Sequence, residues 1–330
     1  MAVVTNTFQS TSAKGNREEL SDVVSRITPE DTPILSLIGK TSYKTTHPEW
    51  ETDDLAAPGN NVQLEGDDYT FGSTAPAVRV GNYTQIMRKE GIVSGSQDAT
   101  DNAGRVEQVR YQKLKKAVEL KKDGEFSIVT NNASVAGATR QSGSLSTWLT
   151  SNVARGATGA NGGFNQGTGL TVAPTNGTLR AFTKVLMDGV MQTGFQNGAN
   201  FKHVIVSPYV KSVFVTFMSD ANVASFRYAA DSGKGNSIVA NADIYEGPFG
   251  KVMIQPNRVM AGSAALARNA FFIDPEFLGW GWFRKIAEDK EVAKTGDAKK
   301  FVMLGEGTLC VKNERGLGVV ADVFGLTAST

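Results

Sequence analysis

The spacing of hydrophobic positions along the chain changes several times, and each change marks an expected element. The first 15 residues are small and polar with no period, which predicts an extended arm. Asn16 followed by Glu19 has the form of a capping box. Leu20, Val23, Val24 and Ile27 then recur at helical spacing, so a short helix is expected to end near Pro29. "DTPILSLIG" predicts a second short helix, with Pro33 at an early position and Gly39 as its stop. From 41 to about 100 the pattern is extended, and Val78 and Val80 flank Arg79 with the period of two of a strand. Residues 98–132 contain only two glycines and predict a long helix, with Tyr111, Leu114, Ala117, Val118 and Leu120 as its apolar stripe.

Residues 133–177 are rich in glycine, serine, threonine and asparagine and read as mobile surface loops. Order resumes with Leu179, Phe182, Leu186 and Val190 on one helical face. "FKHVIVSPYVKSVFVTFMSD" reads as a buried strand, a proline turn and a helix, and "ADIYEGPFGKVMIQPN" as a hairpin. The remainder is strand-rich with short turns. No internal repeat is present, which removes solenoids and propellers.

A chain of 330 residues with 40% hydrophobic and 20% charged residues is long enough for a sizeable core, either as one large domain with extensions or as two that share elements. Its net charge of +1 argues against a protein that coats nucleic acid or an anionic membrane, so charge effects are local. Cys310, the single cysteine, excludes an internal disulfide and points to a reducing compartment. With only His47 and His203 beside it, no zinc-ligand spacing arises, and no cofactor or metal is expected. The chain has neither a secretory signal nor an apolar run long enough to span a bilayer.

The local charges are concentrated in two places. Residues 45–78 hold no lysine or arginine but seven carboxylates: Glu49, Glu51, Asp53, Asp54, Glu65, Asp67 and Asp68. Residues 105–122 hold seven basic residues against two acids, a local excess of five. An acidic, proline-broken connection of this length has a use or is disordered. "GATGANGG" and "DSGKGNS" lack the strand, helix and spacing of phosphate loops and read as a loop and a turn. His203 reads as structural and His47 as structural or interfacial. Cys310 reads as a buried strand residue, and no G-x-S-x-G elbow supports a Ser-His-Asp triad. The Asn-x-Ser/Thr sites at Asn82, Asn132 and Asn176 carry no meaning in a chain that is not secreted.

The segments "ITPEDTPILSLIG", "HPEWETDDLAAPGNNVQLEGDD" and "AKTGDAKKFVMLGEGTLCVKNERGLGVVADV" lie in order at both ends of the chain. They resemble signature segments of tailed-bacteriophage major capsid proteins with the HK97 fold, in the SU10-like group. The resemblance implies an α+β fold with an N-terminal arm (1–40), an extended E-loop hairpin (41–97) and the spine helix of a peripheral domain (98–132). An axial domain (133–270) and strands returning to the peripheral domain (271–330) would complete it. It implies a subunit without enzymatic activity that assembles with itself, as hexamers and pentamers, into an icosahedral virion shell built in the bacterial cytoplasm. The shell would have a portal, and scaffold or decoration proteins as further partners. It would meet packaged double-stranded DNA without sequence specificity, through phosphates, and no membrane partner is implied. Some relatives carry a scaffolding segment that a protease removes; this chain starts almost at the arm, which implies that such a segment is absent or already removed.

The family's E-loop lies over the next subunit. Glu51, Asp53, Asp54, Glu65, Asp67 and Asp68 are therefore expected to be neutralised by a neighbour, with Lys113, Lys115 and Lys116 of the spine helix as the first candidate partners. Two other readings are open to the sequence. One is another virion component, a tail tube or decoration protein; the other is a hydrolase with an acid/base pair drawn from 49–68.

Overall fold

A computed structural model describes residues 30–69, 71–100, 107–216, 243–294 and 296–323. The expected arm and first helix (1–29) and the "DSGKGNS" turn lie outside these.

Two sheets organise the molecule. The first is four-stranded, in the order β1 (Gly39–Ser42), β12 (Leu278–Asp289), β13 (Ala298–Val311), β4 (Gln85–Ser94). β1 runs parallel to β12 and the other pairs are antiparallel. The second is six-stranded, in the order β5 (Val153–Ala154), β14 (Leu317–Val320), β11 (Ala270–Ile273), β8 (His203–Val206), β10 (Gly250–Pro256), β9 (Ile244–Gly247). Residues 271–330, expected to return to one domain, thus divide: β12 and β13 join the first sheet, while β11 and β14 lie inside the second.

The six-stranded sheet is apolar on both faces, as strands covered on both sides must be. Ile205, Phe271, Ile273 and Val319 face a core shared with Leu120, Ile128, Trp280 and Phe301. Val204, Val206, Phe272 and Val320 face a second core with Met187, Val190, Val210 and Val213. The last four belong to α4 (Lys184–Gln196) and α5 (Pro208–Thr216), the two helices expected from periodicity, although α4 begins only after Leu179 and Phe182, with Thr183 as its cap, and buries Met187, Val190 and Met191. The expected hairpin is β9–β10.

The long helix, α3 (Gln108–Val129), packs on the four-stranded sheet, and a separate short helix, α2 (Gly95–Ala99), precedes it. The expected stripe needs correction. Leu114 is 63% exposed, and the fully buried positions, Leu120, Gly124, Glu125, Ile128 and Val129, lie in the carboxyl-terminal half, where α1 (Pro33–Leu37) and the second sheet close over the helix. Gly124 makes room for this: a Cβ there would sit 3.2 Å from Leu35 Cδ1.

α1 has Pro33 in its first turn, as expected, but Thr32 gives it no side-chain cap. The orphan amides of Ile34 and Leu35 donate instead to the carboxylate of Glu125, at 3.0 and 2.9 Å, and Asn257 Nδ2 donates to it at 2.7 Å. One buried acid thereby fastens α1, α3 and the end of β10. Its burial, only partly offset by these three donors, pushes its pKa up.

The segment 133–177 also departs from expectation. It contains a 3₁₀ turn (Leu145–Thr147), β5, and a hairpin of β6 (Gly163–Asn165) and β7 (Leu170–Val172). Leu145, Trp148 and Leu149 are core residues. Hydroxyl side chains make this burial possible by satisfying the backbone. Ser134 N donates to Thr171 Oγ1 at 2.8 Å and Thr171 N to Ser134 Oγ at 2.7 Å, while Ser146 Oγ donates to the carbonyl of Thr130 at 3.1 Å.

Candidate assembly interface

The acidic window forms a hairpin whose base is fixed and whose tip is free. At the base, β2 (Glu49–Thr52) pairs antiparallel with β3 (Val78–Gly81), the strand expected from Val78 and Val80. Trp50 is the anchor. Its Nε1 donates to the carbonyl of Val311 at 2.8 Å, and its ring stacks on buried Trp148, which stacks in turn on Phe164 at 5.5 Å between centroids.

Beyond β3, the side chain of buried Asn82 donates to Leu309 O at 2.8 Å and to Gly143 O at 3.2 Å, and accepts from Gly143 N at 2.8 Å. Thr84 Oγ1 donates to Glu306 Oε1 at 2.7 Å. Glu306 is fully buried and held by Arg140 and by Arg284, whose Nε lies 2.9 Å away. Burial alone would raise its pKa, but the hydrogen bonds from Arg140, Thr84 and Arg284 together outweigh it and hold the carboxyl below the ordinary range. Asn82, Glu125 and Glu306 carried no signal in the sequence: an Asn-x-Thr site or a lone glutamate in a strand gives no hint of a buried hub.

Past Thr52 the chain leaves the molecule. Every described residue from 53 to 79 is exposed and none between the two strands adopts a strand. Leu55 and Phe71 are 98% and 95% exposed, and Val62, Leu64 and Tyr69 are nearly as bare. A single turn interrupts the run, with Gly66 at φ 82° and Asp67 N donating to Leu64 O at 3.2 Å.

The carboxylates divide in two groups. Glu49, at the base, pairs with Arg79, and Asp54 Oδ2 lies 3.4 Å from Arg315 Nη2. Asp53 and Asp67 accept the next residue's amide at 2.9 and 3.0 Å. Among the described residues no cation pairs with Glu51, Asp53, Glu65, Asp67 or Asp68.

On α3, Lys113 Nζ is 2.7 Å from Glu288 Oε1 and Lys116 Nζ 2.8 Å from Glu119 Oε2. Among the described residues Arg110, Lys115, Lys121 and Lys122 form no ion pair. The window and the helix are not joined by an ion pair within one copy, among those same residues. His203 begins β8 half-buried, and burial, then Lys202, lowers its pKa. Cys310 is buried in β13, where burial pushes its thiol up. Among the described residues no cluster of three or more His, Cys, Asp or Glu is placed to hold a metal, and no helix is long and apolar enough to cross a membrane.

An anchored hairpin with an exposed, apolar and acidic tip, on a two-sheet body with one long helix, is the architecture of a phage capsid subunit of the HK97-like fold. Comparison with solved structures agrees. Over 98% of both chains the fold matches that of a Gordonia phage Cozz protein (TM-score 0.59, 12% identity). It also matches the capsid of a native GTA particle over 96% of this chain and 98% of that one (TM-score 0.57, 11% identity). A third match is a structure of Phage G major capsid and decoration proteins, over 97% and 99% (TM-score 0.52, 10% identity). The family model described as SU10 major capsid protein matches residues 3–324, and the chain belongs to that family. Members of the family are structural capsid proteins and not enzymes. A major capsid protein of Escherichia phage Phieco32 is 37% identical over 127 residues, which is 38% of this chain and 36% of that relative.

Proposed function

We propose that the chain is the shell-forming subunit of a tailed-phage head, assembling as hexamers and pentamers into an icosahedral shell around double-stranded DNA in the bacterial cytoplasm. In this reading residues 41–97 are the E-loop, α3 is the spine of a peripheral domain and the six-stranded sheet belongs to the axial domain. The observation that carries it is the contrast within the hairpin: a base held by Trp50, Asn82 and Glu306, and a tip that buries nothing on its own body. A segment so exposed and apolar gains its packing from a neighbour.

Glu51, Asp53, Asp54, Glu65, Asp67 and Asp68 then meet cations of the next subunit. On the spine helix Lys113 and Lys116 would have to exchange an internal partner, whereas Lys115, next to exposed Leu114, forms no ion pair among the described residues. A portal closes one vertex, and scaffold or decoration proteins are further partners, as decoration proteins are for Phage G. Contact with DNA is through phosphates.

A hydrolase needs an acid/base pair in a shaped, partly desolvated site, and these acids are spread over an exposed loop. Electron microscopy of the purified protein tests the proposal: closed shells are expected, open tubes would point to a tail tube, and dispersed monomers under all salt conditions would overturn it.

A further inference from the structure

We infer that the free edge of β1 is a strand-acceptor groove for residues 61–65 of the acidic loop of a second copy of this chain; this rests on the loop-docking reading above. β1 is paired only through β12, and its other side faces no strand among the described residues, with all four of its residues exposed. Such an edge offers a row of unpaired amides and carbonyls and readily takes up an extended segment. Beside it lies a groove of about 390 Å³, lined by Lys40, Thr41, Ser42, Trp282, Lys285 and Ile286. Its floor is apolar, from Trp282 and Ile286. Its rim is cationic, and among the described residues neither Lys40 nor Lys285, nor nearby Lys44, forms an ion pair.

The loop carries the complement. In "NVQLE" (61–65) Val62 and Leu64 alternate with Asn61, Gln63 and Glu65, the period that puts two apolar side chains on one face of a strand. Both are exposed, at 81% and 78%, and the segment has no strand partner among the described residues of its own chain. The turn at Gly66 follows immediately and brings Asp67 and Asp68 next to Glu65. Laid along β1, the segment would place Val62 and Leu64 over Trp282 and Ile286, with Glu65, Asp67 and Asp68 at Lys40 and Lys285. Main-chain pairing would supply affinity and the charges would fix register. Reach is sufficient, since about 12 residues on each arm of the loop extend roughly 40 Å.

The test uses the full chain and two kinds of variant. Reversal of the loop (E65K/D67K/D68K) and of the groove (K40E/K285E) should each cause loss of particles at low salt while the subunit's unfolding midpoint holds, and the combined variant should recover them. Independently, in a Cys310→Ser background, Thr41→Cys with Gln63→Cys should give ladders of disulfide-linked subunits on oxidation. If the reversed loop is rescued by K115E/K121E and not by K40E/K285E, or if the cysteine pair forms particles without cross-links, the groove is not the acceptor, although loop docking stands. If the reversed loop assembles like the parent, the loop-docking reading itself fails.

Discussion

At the scale of single residues, two buried glutamates hold the molecule in opposite ways. Glu306 sits between Arg140 and Arg284 and is ionised at neutral pH; removing its carboxylate leaves Arg140 largely buried without its partner. Glu306→Ala should cost about 3 kcal/mol, read by denaturant unfolding of the unassembled subunit. Its folded pKa lies below the ordinary glutamate value, so its stabilisation is present above that value of 4.5 and is lost as pH falls through the folded pKa. Glu125 has the reverse sign. Its pKa is raised, chiefly by burial, so its contribution is fully present in acid and is lost as pH rises through the elevated pKa. Comparing Glu306→Gln and Glu125→Gln against pH separates them: the first should flatten the acid limb of the stability curve, and the second should flatten the decline on the less acidic side. A Glu306→Gln variant with an unchanged acid limb would contradict this assignment.

At the scale of elements, the hairpin divides into a base that stabilises the fold and a tip that does not. Trp50→Ala removes the Val311 hydrogen bond and the stack on Trp148, and should destabilise the subunit by about 2–3 kcal/mol. Replacing residues 55–71 with a short glycine-serine linker removes Leu55, Val62, Leu64, Tyr69 and Phe71, none of which is buried, and should leave the thermal midpoint nearly unchanged while abolishing particles. What the sequence made legible follows the same division between local and distant causes. α1, α4, β8, α5 and the β9–β10 hairpin were readable because their periods lie within a dozen residues. The core role of 142–149 was not, because serine and threonine side chains there pair with the distant Thr130 and Thr171 and so give a loop-like composition a buried place. The stripe on α3 was half right for a related reason: periodicity can define a face, but only the arrival of α1 and the second sheet decides which end of the face is covered. Nor can local pattern tell that β11 and β14 go to one sheet while β12 and β13 go to the other. The acidic tip itself was plain from composition, whereas the Trp50, Asn82 and Glu306 contacts that hold its base depend on residues up to 261 positions away.

At the scale of the whole molecule, Glu51, Asp53, Glu65, Asp67 and Asp68 pair with no cation among the described residues, and a neighbouring copy is the source that would neutralise them. With a net charge of +1 the subunit is not driven to associate by its total charge, so attraction between copies depends on where charge is placed. Glu65, Asp67 and Asp68 lie far out on the exposed loop and Glu51 and Asp53 at its base, while Lys40, Lys44, Lys285, Arg110, Lys115, Lys121 and Lys122 lie on the body. In the proposed docking a copy would be a donor of negative charge at its tip and a receiver on its flank, an arrangement that would join head to tail and close into rings under rotational symmetry. An exposed pair contributes only about 0–1 kcal/mol, but in the proposed ring each subunit would both give and receive a loop, and the apolar residues beside the acids would exclude water from the pairs. Asp67→Lys with Asp68→Lys should therefore reduce assembly most at low salt, where charges are screened least, and less as ionic strength rises and the Debye length shrinks from about 30 Å at 0.01 M to about 3 Å at 1 M. The unassembled subunit, whose tip contributes no core, should unfold at the same midpoint as the parent. Particle yield by light scattering across a salt series measures both limbs; equal assembly of parent and variant at the lowest salt would mean that the acidic window is solvated surface and that the loop does not hold neighbouring subunits together.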